Sequence, residues 1–200
     1  MALETLAKVA VEARETIGEV GKKISEFSGD KIDSDKRINP IEKTSDKEYS
    51  YDGLSSIEKI IGLAWGYPKG ILDNIYNFSE LKHYHDLGLI AKKFGETVDG
   101  KDRFILVPKD LDMKRVVDSQ GLTNEDRAKQ GKSLIKDGKI LEVHHIGQKE
   151  GGHYALLTKA EHTQNGNDKI LHDYSKSGVD HGNSFLSEKK EIFKTLAEGV

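Results

Sequence analysis

Histidine is concentrated in one short part of the 200-residue chain, since six of its eight histidines fall between positions 144 and 181. Apolar residues at 140–146 and again at 154–157 predict two strands, separated by a turn that contains two adjacent glycines. Thr158 and Glu161 have the spacing of a capping box, which begins a helix. The sequence therefore predicts strand, turn, strand and helix, with imidazole groups on the first strand and around the helix. Such clustering is difficult to explain by packing alone.

The composition restricts the chemistry that this cluster could perform. The chain has no cysteine, so disulfides and thiolate zinc sites are excluded, and any metal would be held by His, Asp, Glu or Asn. The formal net charge of -3 gives no overall signature of nucleic-acid binding, so such binding would depend on local charge. No run approaches the roughly 20 apolar residues of a membrane span, and the start lacks a signal-peptide pattern. We expect neither a membrane protein nor a precursor with its own secretion signal.

The first half of the chain has the pattern of helices joined by a polar segment. Apolar residues recur at steps of three and four in residues 2–27, which predicts one amphipathic helix. Residues 28–52 are polar and are expected to form a linker. Apolar residues at helical spacing in 54–94 predict two or three further helices. We therefore expect residues 1–110 to be a mostly helical region for delivery or for linking to a parent protein.

The second half of the chain has a different pattern. A short predicted strand at 103–107 ends at Pro108, because proline cannot donate a backbone hydrogen bond to a sheet. Beyond it the chain is polar as far as the histidine-bearing strand, and residues 187–197 predict a closing helix. We place a domain boundary near residue 110 and a second domain at 111–200. The expected fold class is α+β, with a helical N-terminal region followed by a small domain of strands and helices.

Two adjacent histidines, His144 and His145, lie on the first predicted strand of the cluster. Neighbouring residues of a strand point to opposite faces, so both rings can serve one site only if the strand twists or ends there, which Gly147 allows. Hydrolysis of a phosphodiester needs an activated water and a cation that stabilises the developing charge. A neutral imidazole suits the first task, and a small cage of imidazoles and carboxylates suits the second. The cluster contains candidates for both.

These residues resemble a known family of nucleases. The pattern is Glu142-x-His144-His145, a second strand, Leu157-Thr158-x-x-Glu161-His162, Gly166-Asn167 and Leu171-His172. It resembles the LHH branch of the HNH/endonuclease VII nucleases, also called His-Me finger or ββα-metal nucleases. Upstream, a lead-in of the same family is similar to Asn124-x-x-Arg127, Gly131 and the turn Asp137-Gly138-Lys139. The resemblance covers roughly residues 120–175 and implies a small ββα-metal domain.

The resemblance implies a role for each matching residue. His145, the second of the pair, would be the general base that deprotonates water, and His144 would be a metal ligand. Glu142 would be an active-site carboxylate. His162 and His172 match metal positions on the helix side of the motif.

The roles of the two asparagines near the cluster, and of His172, are less closely defined by the resemblance. Asn167, or failing that Asn165, would orient the base. Ten residues separate His162 from His172, which departs from the spacing of Asn and His in the family. It therefore stays open which of Asn165, Asn167 and His172 reaches the metal.

Other polar residues near the cluster are candidates for contacts with the substrate. Arg127 and Lys169 would contact phosphate groups. His153 lies close enough in the sequence to contact the substrate, although an isolated histidine is more often a core residue, which is also our interpretation of His181. His83 and His85, an i, i+2 pair on a predicted helix, are interpreted as surface or packing residues.

The function implied by the resemblance is that of a metal-dependent DNase toxin. The cofactor would be a divalent ion, Zn²⁺ or Mg²⁺, and the partners would be DNA and a cognate immunity protein. Such domains occur at the C-terminus of bacterial polymorphic toxins, including contact-dependent inhibition effectors. The chain would then be part of a larger protein that is secreted or delivered from the cell surface and acts in the target-cell cytoplasm. Two alternatives stay open: an RNase on the same fold, and a non-catalytic interaction module with a structural metal site.

Overall fold

The structure is a computed structural model that describes residues 49–97, 100–176, 179 and 182–199. Contacts divide the chain into two units, residues 1–47 and residues 48–200. The predicted helix at 2–27, most of the predicted linker at 28–52, and His181 lie outside the described residues. Within the described part of the chain, no helix is both long and apolar enough to cross a membrane.

Three short helices begin the described part: α1 (Ser56–Ala64), α2 (Lys69–Leu72) and α3 (Phe78–Asp86). Helix α1 starts at a capping box, in which the Ser55 side chain accepts from the backbone N–H of Glu58 and Glu58 accepts from Ser55. Helix α3 starts at Asn77, whose side chain accepts from the backbone N–H of Glu80. Helices were predicted up to residue 94, but the chain turns at a left-handed Gly88 (φ 65°) and continues as a strand.

The sheet has five strands in the order β1-β2-β5-β4-β3. The strands are β1 (Leu89–Glu96), β2 (Asp102–Pro108), β3 (Ile135–Lys136), β4 (Lys139–Ile146) and β5 (His153–Thr158). Neighbouring strands are antiparallel, except that β2 pairs in parallel with β5 through Ile105 opposite Tyr154. The predicted boundary near residue 110 falls between β2 and β5, two strands that pair with each other within the unit 48–200.

Four further helices complete the unit: α4 (Asn124–Lys129), α5 (Lys159–Thr163), α6 (Asn167–Leu171) and α7 (Asn183–Ala197). Strands β4 and β5 and helix α5 follow one another directly and form a ββα arrangement. The closing helix, predicted at 187–197, begins four residues earlier than expected. The predicted α+β class, with helices followed by a small ββα domain, is confirmed.

The sheet separates two apolar clusters. Helices α1–α3 pack on one face, against residues that include Ile146 and Leu157. Helix α7 packs on the other face, where Phe193 joins Val143 and Tyr154. Since side chains alternate along a strand, β4 directs its even-numbered residues to the first face and its odd-numbered residues to the second. This alternation decides where each histidine of the pair lies.

Burial of a carboxyl group in α3 should make stability depend on pH. Glu80 is fully buried and accepts from the backbone N–H of Tyr76 (2.7 Å) and the hydroxyl of Tyr84 (2.8 Å). Burial raises the pKa of Glu80 to about 8, although both hydrogen bonds act to lower it. Because the folded state keeps this proton while the unfolded state loses it, stability should fall as pH rises from about 4.5 to about 8, and then level off.

Glu80→Gln should remove most of this slope, because an amide fills the same space without ionising. We expect the variant to gain stability over the parent by several kcal/mol at pH 8 and by much less at pH 5, at about 1.4 kcal/mol per pH unit. Urea unfolding between pH 5 and pH 8 measures the difference. Glu96→Gln, at an exposed strand end, is the control. Parallel stability curves for the parent and Glu80→Gln would contradict the prediction.

Candidate metal centre

Three histidines from three different elements meet at one place. His144 lies on β4, His162 on α5, and His172 is the C-cap residue of α6. One ring nitrogen from each lies within 4.8 Å of those of the other two. The ring of His144 is buried, whereas His162 and His172 are half-buried. The site therefore has one buried candidate ligand, His144, and two candidate ligands that lie nearer the surface.

Local sequence explains why the helical histidines reach the strand. Helix α5 begins directly after β5, because Thr158, the last residue of the strand, forms the predicted capping box with Glu161. This places His162 in the last turn of α5, next to β4. Leu171 is fully buried and anchors the end of α6 in the core. His172 therefore follows at the rim of the cluster.

Hydrogen bonds at Nδ1 set the orientation of the two helical histidines. The Nδ1 of His162 lies 2.9 Å from Oε2 of Glu142, and the Nδ1 of His172 lies 3.1 Å from the carbonyl oxygen of Asp168. Since carboxylate and carbonyl oxygens accept, each Nδ1 carries the proton and each Nε2 carries the lone pair. A second ring nitrogen bonded to a carboxylate or a carbonyl is typical of histidines that ligate metals.

His144 has the environment of a neutral ligand. Its Nδ1 lies 3.1 Å from Nε2 of His162, and its Nε2 is buried with no hydrogen-bond partner among the described residues. Burial holds the pKa of His144 well below its usual value, and the neighbouring rings of His162 and His172 lower it further. His144 is therefore uncharged at neutral pH and can offer a lone pair.

The donor set fits a divalent metal ion. Two nitrogens bound at about 2.0–2.1 Å to one tetrahedral ion lie roughly 3.3–3.4 Å apart, close to the 3.1 Å between His144 and His162. The predicted ligands His144, His162 and His172 are thus brought together, and the three could bind a metal.

His145 lies on the other side of β4. Its ring packs against Tyr154 (centroid distance 4.9 Å) and Phe185 (4.7 Å), side chains of the face that α7 covers. It also lines a cavity of about 520 Å³ together with Glu150, Gly151, Phe185, Ser187, Glu188 and Glu191. The alternation of the strand continues to Ile146, so the twist that would bring both rings to one face does not occur. The structure does not place His145 in the metal cluster.

Glu142 and Asn167 contact the cluster differently from the prediction. The carboxylate of Glu142 lies on the face of His144 and orients His162, and 40% of its side chain is exposed. Asn167 donates through Nδ2 to the carbonyl of Ala160 (3.1 Å), which ties α6 to α5. Asn167 therefore helps to hold α5, the helix that carries His162. The predicted role of Asn167 was to orient His145, and the structure shows the contact to Ala160 instead. Asn165 is exposed in a left-handed turn (φ 58°).

Two of the three predicted substrate contacts have structural partners instead. Arg127 forms an ion pair with Asp118 (2.5 Å) and donates to the carbonyl of Ser133 (2.9 Å), with 14% of its side chain exposed. His153 is buried, and its Nδ1 accepts from the backbone N–H of Phe104 (3.1 Å). Burial, followed by the charge of Arg103, lowers the pKa of His153. Lys169 is exposed on α6, the helix that ends at His172, and remains a candidate for a phosphate contact.

One contact to the cluster was missed in the sequence. His83 on α3 lies with Nε2 2.8 Å from the carbonyl oxygen of Glu161, the residue before His162. The sequence interpretation of His83 as a packing residue gave no reason to connect it with α5, because the contact joins positions 78 residues apart. His85, its neighbour on α3, stacks on Trp65 at 3.9 Å between ring centroids.

Comparison with known families identifies the domain. Residues 123–198 match the LHH family model, described as a nuclease of the HNH/ENDO VII superfamily with conserved LHH. This part of the chain is therefore an LHH domain of the HNH/endonuclease VII nuclease superfamily, and it contains all three histidines of the cluster. No curated protein and no solved structure matches the chain.

Proposed function

We propose that the protein is a metal-dependent endonuclease that hydrolyses phosphodiester bonds in DNA. The observation that carries the proposal is the cluster of His144, His162 and His172 on the ββα arrangement of a nuclease-family domain. The two surface-side ligands lie at the rim, where a polymer could reach the site. A three-ligand site also leaves a fourth position of a tetrahedral ion for water or substrate, as catalytic zinc sites do.

The residues of the cluster divide into ligands and orienting groups. His144, His162 and His172 would hold the ion, which when bound would supply electrostatic stabilisation of the charge that develops on the phosphate. Glu142 accepts a hydrogen bond from the Nδ1 of His162 and thereby directs the Nε2 of His162 towards the other two histidines. Three imidazoles favour Zn²⁺ or another transition ion over Mg²⁺, which prefers oxygen ligands.

Removal of the metal and choice of substrate test this proposal together. Protein treated with a chelator should lose plasmid nicking, and Zn²⁺ should restore it better than Mg²⁺ at equal concentration. Purified plasmid and total RNA, incubated separately with the reloaded protein, distinguish DNase from RNase activity. Cleavage of RNA alone would support the alternative hypothesis of an RNase. Cleavage of neither substrate would support a structural metal site.

The general-base role of His145 stays a prediction. No other imidazole on β4 is available for the task, since His144 belongs to the ligand cluster. The position of His145 on the opposite side of the strand means that the role needs a direct kinetic test.

We further propose a toxin role for the activity. The resemblance to nuclease domains of polymorphic toxins supports this role, in which the chain is part of a larger protein, secreted or presented at the cell surface, that cuts DNA in the target-cell cytoplasm. A producing cell would then need an immunity protein with acidic residues that compete for the DNA-binding surface. Co-purification of such a partner from the native operon would support the proposal. Harmless expression of an active nuclease without any partner would count against it.

A further inference from the structure

Helix α5, which carries His162, is too short to hold its own position. It has five residues, and the last four carbonyls of any α-helix lack partners within the helix. Its N-terminus is fixed by the capping box of Thr158 and Glu161. Two carbonyls are bound by side chains from outside the helix: Asn167 donates to Ala160 (3.1 Å), and His83 contacts Glu161 (2.8 Å).

The His83 contact comes from a different part of the chain. His83 belongs to α3, which precedes the segment 123–198 that matches the nuclease family. A carbonyl oxygen only accepts, so Nε2 of His83 carries the proton and donates. The accepting carbonyl belongs to the peptide bond that joins Glu161 to His162. The bond therefore restrains the backbone atoms next to the ligand itself.

We propose that His83 is a positioning residue for the metal centre, an inference that rests on the proposed metal-dependent function. Its hydrogen bond holds the last turn of α5 against α3 and keeps the Nε2 of His162 within reach of His144. Without this bond the carbonyl of Glu161 must find water, and the short helix can fray. Groups that orient a ligating histidine typically contribute about 10–100-fold to metal affinity, and His83 would orient His162 through the backbone while Glu142 orients its ring.

The test compares two histidines on the same helix, in the full-length chain. His83→Ala removes the donor, whereas His85→Ala removes a ring that stacks on Trp65 without touching α5. Zn²⁺ affinity is measured by competition with a chelating dye, and thermal unfolding is measured on the metal-free proteins. We expect His83→Ala to bind Zn²⁺ about 10–100-fold more weakly and His85→Ala to bind within about twofold of the parent. His83→Gln, whose amide can donate to the same carbonyl, should recover part of the loss.

Several results would overturn the inference. One is Zn²⁺ affinity of folded His83→Ala within about twofold of the parent, and another is an equal loss in His85→Ala. If His83→Ala does not fold, His83→Gln decides instead: folded protein with parental affinity supports the donor role, and folded protein with the full loss of affinity contradicts it. A parent that binds Zn²⁺ but cleaves neither DNA nor RNA would refute the proposed function alone, because the affinity comparison would still hold.

Discussion

Replacement of His162 by alanine should abolish both metal binding and nuclease activity. His162 lies 3.1 Å from His144 and is oriented by Glu142, so its loss removes one of three ligands and leaves the carboxylate without its partner. We expect the cleavage rate to fall more than the roughly 10–100-fold that loss of an outer partner costs. Plasmid nicking and metal content per chain, measured on the same preparation, give the two readouts.

Glu142→Gln is the graded comparison for His162→Ala. The amide of glutamine can still accept from Nδ1 of His162, but it lacks the negative charge that strengthens the bond. We therefore expect Glu142→Gln to keep the metal with reduced affinity and to retain part of the activity. His85→Ala serves as the control for the loss of an imidazole elsewhere. If folded His162→Ala kept a full metal content and the parental rate, the cluster would not be the active centre.

If His145 is the general base, its replacement by alanine should lower the cleavage rate about 10²–10⁴-fold without a change in metal affinity. That range is the usual contribution of a general base, and the unchanged affinity follows because His145 is not among the three clustered ligands. Single-turnover cleavage and Zn²⁺ titration of the same variant separate the two quantities. His144→Ala provides the contrast, since it should lose metal and activity together.

A different result for His145→Ala would assign the residue to the core. Its ring packs between Tyr154 and Phe185, so removal leaves a cavity on the side of the sheet that α7 covers. A parental cleavage rate combined with lower thermal stability would show that packing is its main role. The proton acceptor would then have to be sought near Glu142, which is partly exposed on the face of the ligands.

The ββα arrangement and the grouping of three histidines could be predicted because their signals are local. The alternation of β4, the capping box at Thr158 and the clustered histidines can each be recognised from a short stretch of sequence. The family resemblance then implies the roles of the individual histidines, which periodicity alone cannot give. His162 and His172 were predicted as ligands on that basis, and the structure brings both to His144.

The features that the sequence does not reveal share a physical cause, which is contact between distant parts of the chain. The boundary at 110 was placed where the composition changes, but the parallel pairing of β2 with β5 leaves no trace in either strand alone. The sequence around Arg127 suggests a phosphate contact but gives no sign of the ion pair that the side chain forms with Asp118. His83 was similarly assigned to packing, because only the folded chain brings it to Glu161.

The parallel pairing of β2 with β5 also decides how a minimal nuclease could be produced. All six residues of β5 are buried, and Tyr154 and Ala155 of this strand pair with β2. Expression of residues 123–198 alone would remove β2 and leave one edge of β5 apolar and unpaired. Unpaired strand edges of this kind commonly cause aggregation. A soluble module for biochemistry should therefore start before α1 and not at residue 123.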